Sequence, residues 1–249
     1  MRRIAGLLLT VLTLAAPTPP PAQPDIVGGV PASAESYPWL VGVLDVNGTL
    51  YCGGTLVAPL KVLTAAHCVG RRRPADLKIV QGRTNTTSTT GRTIKVATAW
   101  AHPGFRTVTE GDDVAVLTLA EPAFVLPLSL AAPKDVLAYW PGLPATVFGW
   151  GRIFEAGPVS PVLLTVSVPV VDDTTCKSAY QSYDPLKMVC AGRPQGGADA
   201  CQGDSGGPLV VGDKLIGVVS WGEGCGAPGK PGVYARVAAY QPLIQQQLG

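Results

Sequence analysis

The sequence of 249 residues is poor in charge, and that shortage excludes one large class of proteins. Charged residues make up only 14% of the chain and leave a formal net charge of +2, which is too small to suggest a nucleic-acid partner. The one run of basic residues, 71–73, stands directly before a proline and indicates a solvated loop. We therefore expect no nucleic-acid partner.

Long apolar runs are also missing. Residues 4–16 carry no charge and follow Arg2 and Arg3, but thirteen residues are too few for a membrane-spanning helix, which needs about 20. The pattern is typical of a secretory signal peptide. We assign residues 1–22 to that peptide and 23–25 to the rest of a pro-segment. We thus expect a secreted, extracellular protein with no membrane partner.

Helical periodicity over three turns is absent between Ile26 and Arg236. The 30 Gly and 24 Pro indicate many turns between short strands rather than long helices. The apolar runs that predict strands include 40–44, 55–57, 114–119, 162–168 and 215–220. Gly212 and Asp213 separate two such runs and predict a tight hairpin. The sequence therefore predicts a mostly antiparallel β protein.

The end of the chain is the exception to this β pattern. Residues 237–248 predict a closing helix, because Val237, Tyr240, Leu243, Ile244 and Leu248 are spaced for one apolar face. Pro242 falls inside this segment, where a proline can kink or shorten a helix.

A composition change near residues 131–133 suggests a domain boundary. It would divide the mature chain into residues 26–132 and 133–249, each about the size of a common small domain. The pattern alone leaves open the alternative of one larger barrel.

Histidine is the scarcest of the residues that carry chemistry, with His67 and His102 as its two occurrences. His67 ends an apolar run beside Cys68, whereas His102 stands in a turn-like context. Ser205 lies among three glycines in residues 203–208 (GDSGGP). Glycines there allow close approach to a nucleophilic hydroxyl and let backbone N–H groups face a developing oxyanion. A glycine-rich turn with a capping serine is the plain alternative.

Two neighbouring acids, Asp112 and Asp113, lead into the apolar run 114–119. A carboxylate at this point is expected to be partly buried, and burial is unfavourable unless a partner such as an imidazole hydrogen-bonds to it.

Taken together, these segments resemble the chymotrypsin family of serine endopeptidases. The match comprises residues 64–68 (TAAHC), 113–117 (DVAVL) and 203–208 (GDSGGP), in the family's His, Asp, Ser order, behind residues 26–29 (IVGG). The resemblance covers Ile26 to about Leu248. It implies an all-β fold of two six-stranded antiparallel barrels with a C-terminal α-helix and the active site between them.

The resemblance also implies roles for individual residues. Ser205 would be the nucleophile, His67 the general base and Asp113 the acid that orients it. The family pattern puts the acid immediately before the apolar triplet, which favours Asp113 over Asp112. Backbone N–H groups of Gly203 and Ser205 would bind the oxyanion.

Substrate preference follows from a further match. Asp199 occupies the position at which trypsin-like members place an acid at the base of the primary pocket, and Ser220, Trp221, Gly222 and Gly232 match the pocket walls. The resemblance therefore implies cleavage after Arg or Lys. We predict a modest preference for Arg, because its guanidinium can contact a carboxylate in a bidentate manner. The plain alternative is that Asp199 merely caps a loop. An elastase- or chymotrypsin-like enzyme with an apolar preference is a rival that Asp199 disfavours.

Family members become active when a new N-terminal amine pairs with the acid before the catalytic serine. Here these groups would be Ile26 and Asp204. Asp25 stands at the position where a self-activating trypsin-like precursor would have Arg or Lys. We therefore expect a separate activating protease.

The six cysteines of a secreted chain imply three disulfides, and the sequence alone leaves fifteen connectivities open. The resemblance selects the pairs Cys52–Cys68, Cys176–Cys190 and Cys201–Cys225. That pairing leaves no thiol for a nucleophile or a zinc site. We also expect no calcium in the first barrel, since residues 77–109 contain no Asp or Glu, and we expect no cofactor.

The expected partners are protein or peptide substrates with Arg or Lys at the cleaved bond, together with protein protease inhibitors, and the protein is expected to be a monomer. A non-enzymatic binding protein of the same fold is one rival, but such proteins typically lack a triad residue or an open pocket. An esterase on an α/β-hydrolase fold is another. It would need a Gly-x-Ser-x-Gly elbow and a different order of the triad, and neither is present.

Overall fold

The computed structural model describes residues 27–249. The predicted signal peptide at 1–22, the pro-segment at 23–25 and Ile26 lie outside the described residues. Fourteen strands and three α-helices follow one another along this part of the chain. The strands are β1 (Val30–Pro31), β2 (Leu40–Leu44), β3 (Leu50–Ala58), β4 (Lys61–Thr64), β5 (Lys78–Gln81), β6 (Arg92–Ala101), β7 (Ala115–Leu119), β8 (Ser129–Leu130), β9 (Pro144–Gly149), β10 (Leu164–Val171), β11 (Met188–Ala191), β12 (Pro208–Val211), β13 (Lys214–Trp221) and β14 (Gly232–Arg236). The helices are α1 (Ala66–Val69), α2 (Asp173–Ala179) and α3 (Val237–Leu248).

The strands form two closed antiparallel barrels of six strands each, as the resemblance implies. The first has the strand order β2-β3-β4-β7-β6-β5. The second runs β9-β10-β11-β14-β13-β12, and its ring closes because β9 pairs with both β10 and β12. Closure removes the free strand edges that would otherwise invite pairing with other chains.

Alternation of buried and exposed side chains explains why these segments form barrel strands. β10 alternates with a period of two between buried and partly exposed positions, as expected for a strand with one face in a core. In contrast, all five residues of β2 are buried. Gly212 and Asp213 form the predicted turn between β12 and β13, and Gly212 adopts a positive φ of 60° that suits a tight hairpin.

The predicted closing helix is confirmed as α3, which continues through Pro242 without interruption. Val237, Tyr240 and Ile244 are buried in the apolar cluster that also contains the first-barrel strands. Leu243 was expected on the same face, but 37% of it is exposed. The reason is geometric: at about 100° per residue, position 243 is turned roughly 100° away from Ile244.

Two short strands outside the six-stranded rings tie the segment before the first barrel and the segment after it to the second barrel. β1 pairs with β10 and β8 pairs with β13, although both precede residue 133 in the sequence. The division of the chain into 26–132 and 133–249 therefore stays a prediction. Within residues 27–249, no helix is long and apolar enough to cross a membrane.

All six cysteines form disulfides, in the three pairs that the resemblance selects. Cys52–Cys68 joins β3 to α1 in the first barrel. Cys176–Cys190 joins α2 to β11, and Cys201–Cys225 joins the segment before residue 203 to the segment after β13.

Candidate active site

Strand pairing in the first barrel brings His67 and Asp113 together. β4 and β7 are antiparallel neighbours, with Thr64 opposite Ala115. His67 follows β4 in α1, and Asp113 stands just before β7, so the two residues meet at the same end of this strand pair. His67 Nδ1 lies 2.7 Å from Asp113 Oδ2, and the backbone N–H of His67 donates to Asp113 Oδ1 at 2.9 Å. These two contacts fix both the position and the orientation of the imidazole.

The second barrel contributes a further donor to the same carboxylate. Ser220 Oγ, at the end of β13, donates to Asp113 Oδ2 at 2.6 Å. Asp113 is only 1% exposed, and a buried carboxylate needs such partners. The sequence predicted Ser220 as a residue of the pocket wall, and Ser220 does line the cavity described below. The sequence did not predict its contact with Asp113 across the two barrels.

Ser205 lies in the turn before β12. Its carbonyl accepts the Gly53 N–H at 2.8 Å. Cys68 Sγ lies 3.6 Å from that carbonyl and 3.8 Å from His67 Nε2, so the Cys52–Cys68 disulfide separates the serine backbone from the imidazole. Among the described residues, no hydrogen bond within 3.5 Å joins Ser205 Oγ to His67, and such contacts are often long before a substrate binds.

The backbone around Ser205 leaves two N–H groups free. The N–H groups of Asp204, Gly206 and Gly207 donate to Cys201, Val219 and Asp204 carbonyls, respectively. In the same turn, the N–H groups of Gly203 and Ser205 have no acceptor among the described residues.

Gly203 has a φ of 104°, and an added Cβ would come within 2.9 Å of Gly151 Cα. Glycine is therefore required at this position.

The side chain of Asp204, between Gly203 and Ser205, points into the protein. It is fully buried, and its carboxylate accepts the N–H groups of Gly151 at 2.7 Å and Cys201 at 2.9 Å. Burial raises the pKa of Asp204 to about 6, against the lowering effect of these two hydrogen bonds. Ile26, the predicted partner of Asp204, is not among the described residues.

A cavity of about 170 Å³ opens beside Ser205 and has Asp199 in its lining. The other predicted pocket residues, Ser220, Trp221, Gly222 and Gly232, all line it. An added Cβ at Gly222 would meet no atom closer than 3.8 Å, so this glycine leaves open space. At Gly232, an added Cβ would lie 2.4 Å from Asp199 Oδ1, so its missing side chain is what leaves the carboxylate accessible.

The Asp199 carboxylate is almost completely shielded from solvent. The residue is 3% exposed, and its carboxylate accepts the N–H groups of Ala200 at 2.8 Å and Gly226 at 3.2 Å. Desolvation raises the pKa of Asp199 to about 7, while the two hydrogen bonds lower it and the charge of Asp204 raises it further. The arrangement favours a cationic group as ligand, because such a group would stabilise the ionised carboxylate.

Sequence reasoning placed Trp221 in the cavity wall but missed Tyr234, which also lines it. Tyr234 Oη and Trp221 Nε1 are buried without a hydrogen-bond partner in the described structure. Burial, with the nearby charges of Asp199 and Asp204, raises the pKa of Tyr234 well above its ordinary value. The available signal was a tyrosine between Val233 and Ala235, since a buried phenol usually needs a partner.

The residues that competed for catalytic roles have other partners. His102 packs edge-on between Trp100 and Tyr240, and its Nδ1 accepts the Gly104 N–H at 3.1 Å. Asp112 forms an ion pair with Lys187 Nζ at 2.8 Å. Neither is hydrogen-bonded to His67 or Ser205.

One group of potential metal ligands surrounds the imidazole. Cys52, Cys68 and His67 place their ligand atoms within 4.8 Å of one another. The two sulfurs are joined in a disulfide, whereas cysteine binds metals as a thiolate. The donor set therefore does not fit a metal ion.

Comparisons with known proteins agree with the geometry. The family model described as Trypsin matches residues 26–244. A protein named "Trypsin" from Saccharopolyspora erythraea is 50% identical over 223 residues, which cover 90% of this chain and 98% of that protein. "Trypsin eta" of Drosophila melanogaster is 37% identical, with 99% of this chain and 98% of the relative covered. The "Vitellin-degrading protease" of Bombyx mori is 38% identical, with coverages of 97% and 93%.

Proposed function

The chain belongs to the trypsin family of serine endopeptidases, and on this premise we propose that it cleaves peptide bonds after arginine or lysine. The observation that carries the proposal is the buried carboxylate of Asp199 in a cavity that opens beside Ser205. A long cationic side chain in this cavity would place its own carbonyl carbon near the serine hydroxyl.

The proposed mechanism uses Ser205, His67 and Asp113 as a catalytic triad. Ser205 Oγ attacks the scissile carbonyl while His67 Nε2 takes its proton, and the imidazole then protonates the leaving amine. Water, activated by the same imidazole, hydrolyses the acyl-enzyme. Asp113 holds the Nδ1 proton through its 2.7 Å contact and stabilises the imidazolium formed in both steps.

The oxyanion of each tetrahedral intermediate would accept hydrogen bonds from the Gly203 and Ser205 N–H groups. Their lack of another acceptor among the described residues supports this role, because donors that are already oriented need no reorganisation during the reaction. One such donor contributes on the order of 3 kcal/mol to transition-state stabilisation.

We propose a modest preference for arginine over lysine. The Asp199 carboxylate accepts hydrogen bonds from the backbone N–H groups of Ala200 and Gly226. An Arg guanidinium can in addition donate to both carboxylate oxygens at once. Ala200 supplies no hydroxyl that would assist the shorter ammonium of lysine.

We propose that activation requires a cut after Asp25 by a separate protease. The new ammonium of Ile26 would pair with buried Asp204 and order the turn that carries Ser205. The next residue is already tied to the cavity, since the Val27 carbonyl accepts the Asp199 N–H at 3.2 Å. The Asp199 cavity would reject Asp25, because two carboxylates would then lie together without a counter-charge.

We also propose that residues 1–22 direct secretion and that the mature enzyme works outside the cell as a monomer. Three disulfides are consistent with an oxidising compartment. The partners of the enzyme would be protein substrates with exposed Arg or Lys, and protein inhibitors that occupy the Asp199 cavity.

The test uses protein that begins at Ile26, with kcat/KM measured on matched chromogenic peptides that end in Arg, Lys, Phe or Ala. Ser205→Ala is the test variant and Ser178→Ala, on the exposed side of α2, the matched control. We expect cleavage after Arg and Lys that the Ser205 variant loses and the Ser178 variant keeps. Cleavage after Phe or Ala would overturn the assignment of Asp199, and absence of Ser205-dependent cleavage would overturn the proposed function.

A further inference from the structure

The backbone of Asp112, directly before the triad acid, adopts an uncommon conformation. Its φ is 59°, and only Ala156 shares a positive φ among the non-glycine residues that the structure describes. L-residues avoid this left-handed region because Cβ crowds the following carbonyl, although Asp and Asn tolerate it better than others. Something must therefore hold Asp112 in this conformation.

Two elements of the second half of the chain hold it. The Asp112 N–H donates to Tyr240 Oη at 2.9 Å, and Tyr240 Oη lies 3.3 Å from Asp112 Oδ1. Lys187 Nζ, just before β11, lies 2.8 Å from Asp112 Oδ2. The Asp112 side chain is 14% exposed and that of Lys187 36%. The loop before β7, which contains Asp112, is thus bound to the second barrel by the ion pair with Lys187 and to α3 by the Tyr240 hydroxyl.

The consequence for Asp113 comes through the backbone. The Asp112 carbonyl accepts the Val114 N–H at 2.9 Å, which makes a tight turn with Asp113 at its centre. The dihedral angles of Asp112 set the direction in which the chain enters this turn, and with it the direction in which the Asp113 side chain leaves the turn.

We propose that Asp112, held by Lys187 and Tyr240, is a positioning residue that aims the Asp113 carboxylate at His67. This inference rests on the triad proposed above. It assigns Asp112 no contact with substrate or with the reacting atoms.

The other ionisable groups around Asp112 do not provide another route by which Asp112 could act on His67. His102 Nδ1 lies 4.0 Å from Asp112 Oδ1 and is occupied by the Gly104 N–H. Lys187 also approaches the Glu110 carbonyl at 3.4 Å, and Asp184 raises the pKa of Tyr240 only as the smallest of several contributions. On its other side, Asp113 faces His67 and Ser220.

A second ion pair of the protein provides a matched control. Lys214 Nζ lies 3.0 Å from Asp135 Oδ2, with side-chain exposures of 35% and 18%, and Asp135 has an ordinary negative φ of −84°. If Asp112 served only to join parts of the fold, substitutions at Asp112 and Asp135 would reduce stability in the same way and leave the chemistry unchanged.

The experiment compares Asp112→Asn, Asp112→Gly and Asp112→Ala in protein that begins at Ile26. All three remove the same charge, so charge cannot produce a difference between them. Asn tolerates the left-handed conformation and can keep the contacts to Tyr240. Gly keeps only the conformation, and Ala keeps neither. The measurements are kcat, KM and the pH profile of kcat/KM with one Arg substrate, together with thermal unfolding.

We expect kcat to fall in the order Asn, Gly, Ala, with the Ala variant about tenfold below the Asn variant, since small errors of position are costly in catalysis. KM should stay constant because the Asp199 cavity is intact. The acid limb of the profile should lie at lower pH in the Ala variant than in the Asn variant, because a misaimed carboxylate stabilises the imidazolium less. Asp135→Asn and Asp135→Ala should leave kcat and the acid limb as in the unsubstituted protein.

Equal kcat and equal acid limbs for the three variants would overturn the inference while leaving the proposed function intact. Loss of Ser205-dependent cleavage in the unsubstituted protein would instead refute the function itself. If the Ala variant does not fold, the Asn and Gly variants are compared together with Tyr240→Phe, which changes no charge. A Tyr240→Phe protein with unchanged kcat and acid limb would then contradict the inference.

Discussion

Protonation of Asp199 should control how the empty cavity binds a cation. Burial raises the pKa of this carboxyl from the ordinary 3.8 to about 7, so at pH 6 about nine in ten molecules hold it in neutral form. An amidinium ligand binds to the ionised form, because the two charges lie close together where little water screens them. Binding below pH 7 must therefore release the proton of Asp199.

The size of the effect follows from this pKa. Binding should release about 0.9 proton at pH 6 and about 0.1 at pH 8, and the Kd should rise about tenfold for each pH unit below pH 7. The corresponding effect on stability has a definite sign. The native carboxyl keeps its proton to a higher pH than the unfolded one, so its contribution is complete below pH 4 and is lost as pH rises to 7. The loss is roughly 4 kcal/mol in the absence of a ligand.

Calorimetric titration with benzamidine between pH 5 and 9 measures both quantities. Each titration is repeated in two buffers of different ionisation enthalpy, so that the released protons can be counted. The Ser205→Ala variant prevents self-digestion, and a Ser205→Ala, His67→Ala variant removes the imidazole as a source of protons. A Kd that does not change between pH 5 and 8, with no proton release at pH 6, would refute the electrostatic argument for Asp199.

Three further predictions concern the surroundings of the site. Gly232→Ala should lower kcat/KM for Arg and Lys peptides by at least about tenfold, mainly through KM, because the added Cβ would lie 2.4 Å from Asp199 Oδ1; steady-state kinetics on both peptides measures this. Asp204→Asn in the uncleaved chain should raise the free energy of unfolding by up to about 3 kcal/mol at pH 8 but not at pH 4. The native pKa of about 6 means that burial opposes ionisation only at the higher pH, and urea unfolding at both pH values tests it. Replacing Cys176 and Cys190 by Ser should reduce the free energy of unfolding by roughly 3 kcal/mol, since their sequence separation is 14; an unchanged urea midpoint would contradict this value.

The β architecture could be predicted because the barrel strands are short apolar runs separated by turn residues. The run 40–44 coincides with β2, and the predicted hairpin around Gly212 is present. β1 and β8 could not be predicted, since each contains two residues and no periodicity can be read from so few. Their pairing with strands far along the chain depends on tertiary packing alone.

The candidate site could be predicted where the proposed function needs particular residue types in consecutive order. His67, Asp113 and Ser205 came from such segments, and Asp199 came from its position six residues before Ser205. The contact of Ser220 Oγ with Asp113 at 2.6 Å had no such signal, because the two residues belong to different barrels and meet only in the folded protein. The same holds for Tyr234, whose burial beside Asp199 depends on how β14 lines the cavity.

The neighbouring acids Asp112 and Asp113 show what separates two residues of the same chemistry. Strand β7 begins two residues after Asp113 and directs this side chain inward, where His67 and Ser220 hydrogen-bond to it. Asp112, with its positive φ, directs its side chain elsewhere, and its Oδ2 lies 2.8 Å from Lys187 Nζ. Because Lys187 balances the charge of Asp112, the carboxylate that remains uncompensated next to the imidazole is Asp113. An uncompensated negative charge at this distance is what an imidazolium requires, so in the proposed triad the ion pair of Asp112 leaves Asp113 to stabilise His67.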